Sequence, residues 1–207
     1  MGVDVWHMRK QKEVVSEVIS SESDSWEILK KEISTCELCS LHQTRTQTVF
    51  GVGDPNADWL FIGEAPGKDE DAQGEPFVGR AGRLLNEMIF SLDLCREEIF
   101  IANILKCRPP NNRDPKASEV DQCFSYLEQQ VQLIEPKIII AVGKVAAQNL
   151  LGTDQTMSQL RGRVHYFGAK KIPLLVFYHP AYLLRSPSQK PKAWQDLTLA
   201  KQVISNL

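Results

Sequence analysis

The chain has 207 residues, 43% hydrophobic and 24% charged, which suits one domain with a substantial core. No apolar run approaches the roughly 18 residues of a membrane span. Residues 1–20 lack a basic head followed by an apolar stretch, so no secretory signal is expected and the cytosol is the default compartment. The net charge, 24 basic against 26 acidic residues or -2, by itself argues weakly against a nucleic-acid partner.

The distribution of charge argues the other way. Between Gln155 and Gln195 lie Arg161, Arg163, Lys170, Lys171, Arg185, Lys190 and Lys192 with no acid among them. Between Ile101 and Ala117, Lys106, Arg108, Arg113 and Lys116 face Asp114 alone. Such stripes can neutralise phosphates on an acidic protein, although a solvated face reads the same way.

In chain order, Val14-Val15 with Val18-Ile19, then Trp26, Leu29 and Ile33, give two short amphipathic helical patterns. Ser23 or Asp24 is the expected cap of the second. Residues 1–32 read as a helical N-terminal extension free to move, and 33–207 as the main domain. Apolar runs over Ala57–Ile62, Ile99–Leu105, Lys137–Val142 and Ile172–Tyr178 read as strands buried on both faces. Helical patterns cover Gly79–Leu92, Ser118–Ile134 (with Ser118 as cap), Lys144–Leu151 and Ala193–Ile204. Strand and helix alternate, so the fold class is α/β with a mainly parallel sheet.

The stretch from Trp59 to Gly82 organises the rest. Its strand breaks into a loop rich in Gly, Pro and acid, then restarts as a helix near Gly79. Open α/β sheets place ligands at the carboxyl ends of their strands, and this loop presents Glu64, Asp69, Glu70, Asp71, Glu75 and Phe77 there. A solvated acidic turn is the bland alternative, against which stands Phe77 flanked by Pro76 and Val78. Asp69 and Asp71 fit structural caps better than catalysis. His179 and Asn103 come at the ends of other strands, so a His, an Asn, a Glu and a Phe meet at one sheet edge.

Of five cysteines, Cys36 and Cys39 form a CxxC pair, Cys107 opens a polar Cys-Arg-Pro-Pro loop, and Cys123 lies in the following helix. This 2+1+1 pattern suits zinc or a [4Fe–4S] cluster. The wide second half favours iron–sulfur, and a redox CxxC with two structural cysteines is the remaining alternative. Cys95, among Leu92, Leu94 and Ile99, reads as buried and inert.

Taken together, the CxxC pair, Gly63-Glu64-Ala65-Pro66-Gly67, Pro76-Phe77-Val78-Gly79, Asn103 ahead of the Cys-Arg-Pro-Pro loop, and His179-Pro180-Ala181-Tyr182-Leu183-Leu184-Arg185 resemble the family 4 uracil-DNA glycosylases. The resemblance spans about residues 33–204. It implies a three-layer αβα fold with a central four-stranded, mainly parallel sheet. It implies hydrolysis of the N-glycosidic bond of deoxyuridine in DNA, single- or double-stranded, by a monomer acting in base excision repair. By position it puts a [4Fe–4S] cluster on Cys36, Cys39, Cys107 and Cys123, leaving Cys95 outside. Phe77 stacks on the flipped uracil, Asn103 reads its edge, His179 stabilises the leaving anion and Glu64 is the nearby carboxylate. Ala65 takes the place where the best-known branch of the superfamily has an Asp. Leu183 or Leu184 enters the duplex with Arg185 close to phosphate, and Arg108 and Arg113 face the backbone.

Three rival readings follow from the same residues. A sibling branch bonds covalently to the abasic sugar through a histidine in an Arg-rich loop, but Arg108–Lys116 holds no histidine. A looser resemblance, to an accessory domain of a phage-type DNA polymerase, implies a module that binds DNA or polymerase without cleaving. A zinc-stabilised nucleotide hydrolase is the third. If the cluster assignment holds, the pure protein is brown and its visible charge-transfer absorbance bleaches on reduction; a colourless protein with stoichiometric zinc would contradict it.

Overall fold

The structure, a computed structural model, describes residues 24–207. Helix α1 covers 24–34. It buries Leu29 and Ile33 and sets the Trp26 ring edge-on to Phe50 and Phe100, at centroid distances of 5.1 and 5.3 Å. The boundary expected at residue 32 therefore falls inside a helix that packs on the domain. The Val14–Ile19 pattern and the Ser23 cap lie outside the described residues.

The four expected strands form as β2 (Trp59–Gly63), β3 (Phe100–Asn103), β4 (Ile138–Val142) and β6 (Ile172–Phe177), all mutually parallel in the order β3-β2-β4-β6. Alternate residues supply two cores. Leu60, Ile62, Ala102, Ile139, Ala141, Leu174 and Val176 face one side; Trp59, Phe61, Ile101, Ile138, Ile140, Leu175 and Phe177 face the other. Helices α4 (Ala117–Ile134) and α5 (Lys144–Leu151) cover the first face; α3 (Arg80–Phe90) and the C-terminal α8 (Lys190–Ile204) cover the second. The result is three layers, αβα.

Two short antiparallel strands extend this sheet to six. β1 (Val52–Gly53) pairs with β3, and β5 (His165–Phe167) pairs with β6. Runs of two and three residues are too short to display an alternating pattern, and neither was expected. The acidic loop after β2 also holds a six-residue helix, α2 (Lys68–Gln73). The cap of α4 is Lys116 rather than Ser118, because Glu119 reaches back to the Lys116 N–H at 2.9 Å.

Cys95 departs from expectation. Helix α3 ends at Phe90, Asp93 turns the chain with φ 63°, and Cys95 begins a 3-10 turn at Arg96–Glu98. It is exposed rather than buried with Leu92 and Ile99.

The chain reverses direction across the sheet between β2 and β4: β2 leads left to β3 through α3, and β3 returns past β2 to β4 through α4. A crevice opens at such a switch point, at the carboxyl ends of the strands. Among the described residues no helix is long and apolar enough to cross a membrane.

Candidate active site

A cleft of about 990 Å³ occupies that crevice. Each parallel strand delivers something to it. Glu64 follows β2, Asn103 ends β3, Gly143 follows β4, and Tyr178 and His179 follow β6. Phe77 enters from the loop between α2 and α3. The expected residues Glu64, Ala65, Phe77, Asn103, His179 and Arg185 all line this one cleft.

Phe77 is 8% exposed and held at φ 54°, in the left-handed region that a phenylalanine rarely adopts. Three contacts hold it there. Glu70 accepts the N–H groups of Gly67, Val78 and Gly79 at 3.1, 3.0 and 3.3 Å, closing the loop around one carboxylate. The Arg96 guanidinium donates to the Pro76 carbonyl. Gly82 lets the first turn of α3 pack against the Phe77 backbone, where a Cβ would collide with the Phe77 carbonyl. Asp71 is buried and accepts from the Thr46 N–H and hydroxyl at 2.9 and 2.8 Å, tying α2 to the preceding segment. The acidic run is thus largely spent on building the loop.

Gly63 is the point of closest convergence. A Cβ there would strike the Asn103 Oδ1 and come within 2.8 Å of the Phe77 ring. Asn103 is 2% exposed, yet among the described residues its side-chain amide has no hydrogen-bond partner. The Phe77 and His179 rings lie 5.7 Å apart at 32°. His179 caps helix α7 (Pro180–Arg185), and its Nδ1 accepts the Ala181 N–H at 3.1 Å. A neutral imidazole that accepts at Nδ1 carries its proton on Nε2. Burial, with the nearby Arg185 charge, pushes the His179 pKa down to about 4, so the ring is neutral at pH 7. Glu64 shifts the other way: burial, reinforced by Asp114, pushes its carboxyl up to about 7.

This combination is a flat apolar wall, an unpartnered amide, a neutral N–H donor and a carboxyl that titrates near neutrality. Such a set can recognise a planar heterocycle and stabilise negative charge on it. Residues 50–198 match the Uracil DNA glycosylase superfamily. A type-4 uracil-DNA glycosylase of Archaeoglobus fulgidus is 45% identical over 179 residues, 84% of this chain and 90% of the relative. One from Sulfurisphaera tokodaii is 40% identical over 187 residues, covering 87% and 85%. The chain belongs to the type-4 uracil-DNA glycosylases. A more distant match, 25% identical over 170 residues, falls within a Bacillus phage SP01 DNA polymerase and covers 18% of it.

The HPAYLLR segment of this type-4 chain holds its two leucines in different environments. With His179 as cap, the helical phase turns Leu183 into the core, where it is 1% exposed. Leu183 is thus buried without DNA, whereas Leu184 is 39% exposed and Arg185 lines the cleft. Arg113 is also committed: it pairs bidentately with buried Glu119 at 2.8 and 2.5 Å and donates to the Asp114 carbonyl. Arg108 donates to Asn112 Oδ1 at 2.7 Å. The loop they brace brings Asn112 and Asp114 to the cleft, two residues with no strand or motif to mark them in sequence. Their nearest signal was the turn-forming Pro-Pro-Asn-Asn run, and Asn111 and Asn112 do adopt φ 57° and 52°.

Cys36, Cys39, Cys107 and Cys123 line a second, smaller pocket walled by Ile33, Leu38, Leu41, Leu105 and Tyr126. Arg45 donates to Cys107 Sγ at 3.1 Å, and the Lys106 N–H to Cys123 Sγ at 3.3 Å. Four thiols gathered in an apolar pocket, two of them with N–H donors on sulfur, fit an iron–sulfur cluster in donor chemistry. Among the described residues no three His, Cys, Asp or Glu side chains form a group that would hold one metal ion.

Gly82 offers a check on the Phe77 loop. Glycine to alanine inside a helix ordinarily stabilises by about 1 kcal/mol. Gly82→Ala should instead destabilise by about 1–3 kcal/mol, because the added methyl must displace the Phe77 carbonyl, and the urea midpoint reports the sign.

Proposed function

We propose that the protein releases uracil from DNA by hydrolysing the N-glycosidic bond of deoxyuridine, leaving an abasic site and so beginning base excision repair. The observation that carries this reading is the meeting of Phe77, the unpartnered Asn103 amide and the His179 Nε2–H in one cleft.

The scissile bond is buried in a stacked duplex, so the nucleotide is flipped out and its ring lies against Phe77. Asn103 donates its NH2 to uracil O4 and accepts from N3–H. Cytosine, with an NH2 at position 4 and a bare N3, mismatches both contacts, and buried mismatches discriminate strongly. Leu184 fills the gap in the stack and Arg185 lies by a phosphate. As the C1′–N1 bond breaks, the electron pair leaves with uracil and the sugar becomes oxocarbenium-like. The His179 Nε2–H strengthens its bond to O2 as the charge grows, with no proton transfer required of a ring whose pKa is about 4. Water adds to C1′ and gives up a proton, for which the ionised Glu64 is the available acceptor. Ala65 leaves that position without the carboxylate of the best-known branch.

Cys36, Cys39, Cys107 and Cys123 would hold a [4Fe–4S] cluster. When bound it supplies no electron to a hydrolysis. The four cysteines span the segment that follows α1, the loop after β3 and α4, so the bound group would hold those elements together. The protein acts as a monomer in the cytoplasm on single- or double-stranded DNA.

The test is uracil release from a labelled oligonucleotide with one deoxyuridine, read as alkaline cleavage at the abasic site. His179→Ala should lose about 100-fold or more in rate while keeping DNA affinity. A brown, folded wild type that cleaves nothing would instead support a binding module, as the phage polymerase match allows. The pH profile checks Glu64. The ionised form is the competent one, so kcat/KM should fall about tenfold per unit below the Glu64 pKa of about 7 and level off above it. Glu64→Gln should flatten that limb. His179 adds no limb near neutrality, being deprotonated above about 4.

A further inference from the structure

Lys106 stands between the cluster cysteines and the cleft. It is 1% exposed, one residue before Cys107 and three after Asn103. A buried ammonium is costly unless its donors are met, and here the partners are specific. Its Nζ donates to the Asn103 backbone carbonyl at 2.8 Å and to Gln130 Oε1 at 2.6 Å. Gln130, itself fully buried, donates from Nε2 to the Phe50 carbonyl at 2.9 Å. The Lys106 peptide is fixed as well, its N–H on Cys123 Sγ and its carbonyl accepting the Val49 N–H at 2.8 Å.

The location of the first contact is what matters. Asn103 is the last residue of β3. Beyond it the chain keeps two ladder-like bonds, Ile104 N–H to the Gly63 carbonyl at 2.9 Å and Leu105 N–H to the Glu64 carbonyl at 3.1 Å. The Asn103 carbonyl is held by a lysine instead of a neighbouring strand. A charge-assisted bond at the end of a strand fixes that peptide plane, and the peptide plane sets the direction of the Asn103 side chain. Among the described residues the amide has no partner of its own to set it.

We propose that Lys106 is a positioning residue for base reading: its Nζ, held by Gln130, fixes the Asn103 peptide so that the side-chain amide meets the edge of the base in register. This rests on the hydrolase reading above and on Asn103 as its reader. A lysine that merely filled the core would contribute to stability and leave selectivity alone.

Lys106→Met keeps the apolar stem and removes the donor. Gln130→Leu, on α4, leaves Lys106 in place and removes its second anchor. Each variant is purified with its cluster absorbance recorded, then assayed in single turnover on matched oligonucleotides carrying one deoxyuridine or one deoxycytidine at the test position, with free-uracil affinity by calorimetry. With absorbance retained, both variants should lose between about ten- and a hundredfold in the uracil rate, weaken free-uracil binding, and narrow the uracil-to-cytosine ratio, while affinity for abasic DNA stays put. Lys106→Arg should recover part of the ratio. Wild-type rate and ratio in the folded variants would overturn the proposal. So would losses that track cluster absorbance alone in both variants. An inactive wild type would instead overturn the hydrolase reading itself, which keeps the two failures apart.

Discussion

Burying a parallel sheet on both faces leaves its carboxyl edge as the place where polar chemistry can stand. Strands β2, β3, β4 and β6 send apolar side chains up and down into two separate cores. Nothing polar fits along their length, and the polar residues arrive where each strand stops. Glu64, Asn103 and His179 belong to three different strands, yet the common direction of those strands brings them to one crevice. The chain reversal between β2 and β4 opens the space they share. The remainder of the molecule can be understood as what keeps that edge in order: the Glu70 carboxylate closing the Phe77 loop, Arg113 and Glu119 bracing the loop after β3, and Lys106 at the end of β3 itself.

The same burial accounts for charge. Among the described residues two arginines pair with buried acids, Arg113 with Glu119 and Arg161 with Asp196, where Asp196 is 1% exposed. Arg161 also lies over the Tyr178 ring, 5.4 Å from its centroid. The basic stripe from 155 to 195 is therefore partly an internal brace. What faces the cleft is a smaller set, Arg80, Lys144 and Arg185 among them, interspersed with acids. A chain of net charge -2 can present cations locally without being basic overall.

Much of this was legible in sequence, and the reasons differ by element. The four parallel strands showed because strands buried on both faces need continuous apolar runs, and Lys144–Leu151 showed because a glycine precedes it and another follows it. β1 and β5 did not show, being two and three residues of edge pairing. Helix α2 hid inside Gly, Pro and acid because it carries Glu70 to the N–H groups of its own loop and Asp71 to Thr46 in the preceding segment. Phe77, Asn103 and His179 were visible as chemistry-bearing residues at strand or loop ends. The different burial of Leu183 and Leu184 was not, since it turns on the helical phase set by the His179 cap. Lys106 counted in sequence as one of a basic stripe, and only its burial distinguishes it from Arg108 two residues on.

One desolvated cleft also explains how a single site can hold two opposite protonation states. Burial disfavours charge of either sign. For His179 that means losing a proton early, down to a pKa of about 4; for Glu64 it means keeping one late, up to about 7. A neutral imidazole whose Nδ1 is already satisfied by Ala181 is a fixed dipole aimed through Nε2. It meets growing negative charge without reorganising and without the competing attraction an imidazolium would offer to phosphates or to Glu64. Glu64, lining the same cleft, pays the opposite penalty: burial and the Asp114 charge both disfavour its ionised form. The neutral donor and the reluctant carboxylate thus share one leading cause, burial, to which Arg185 adds for His179 and Asp114 for Glu64.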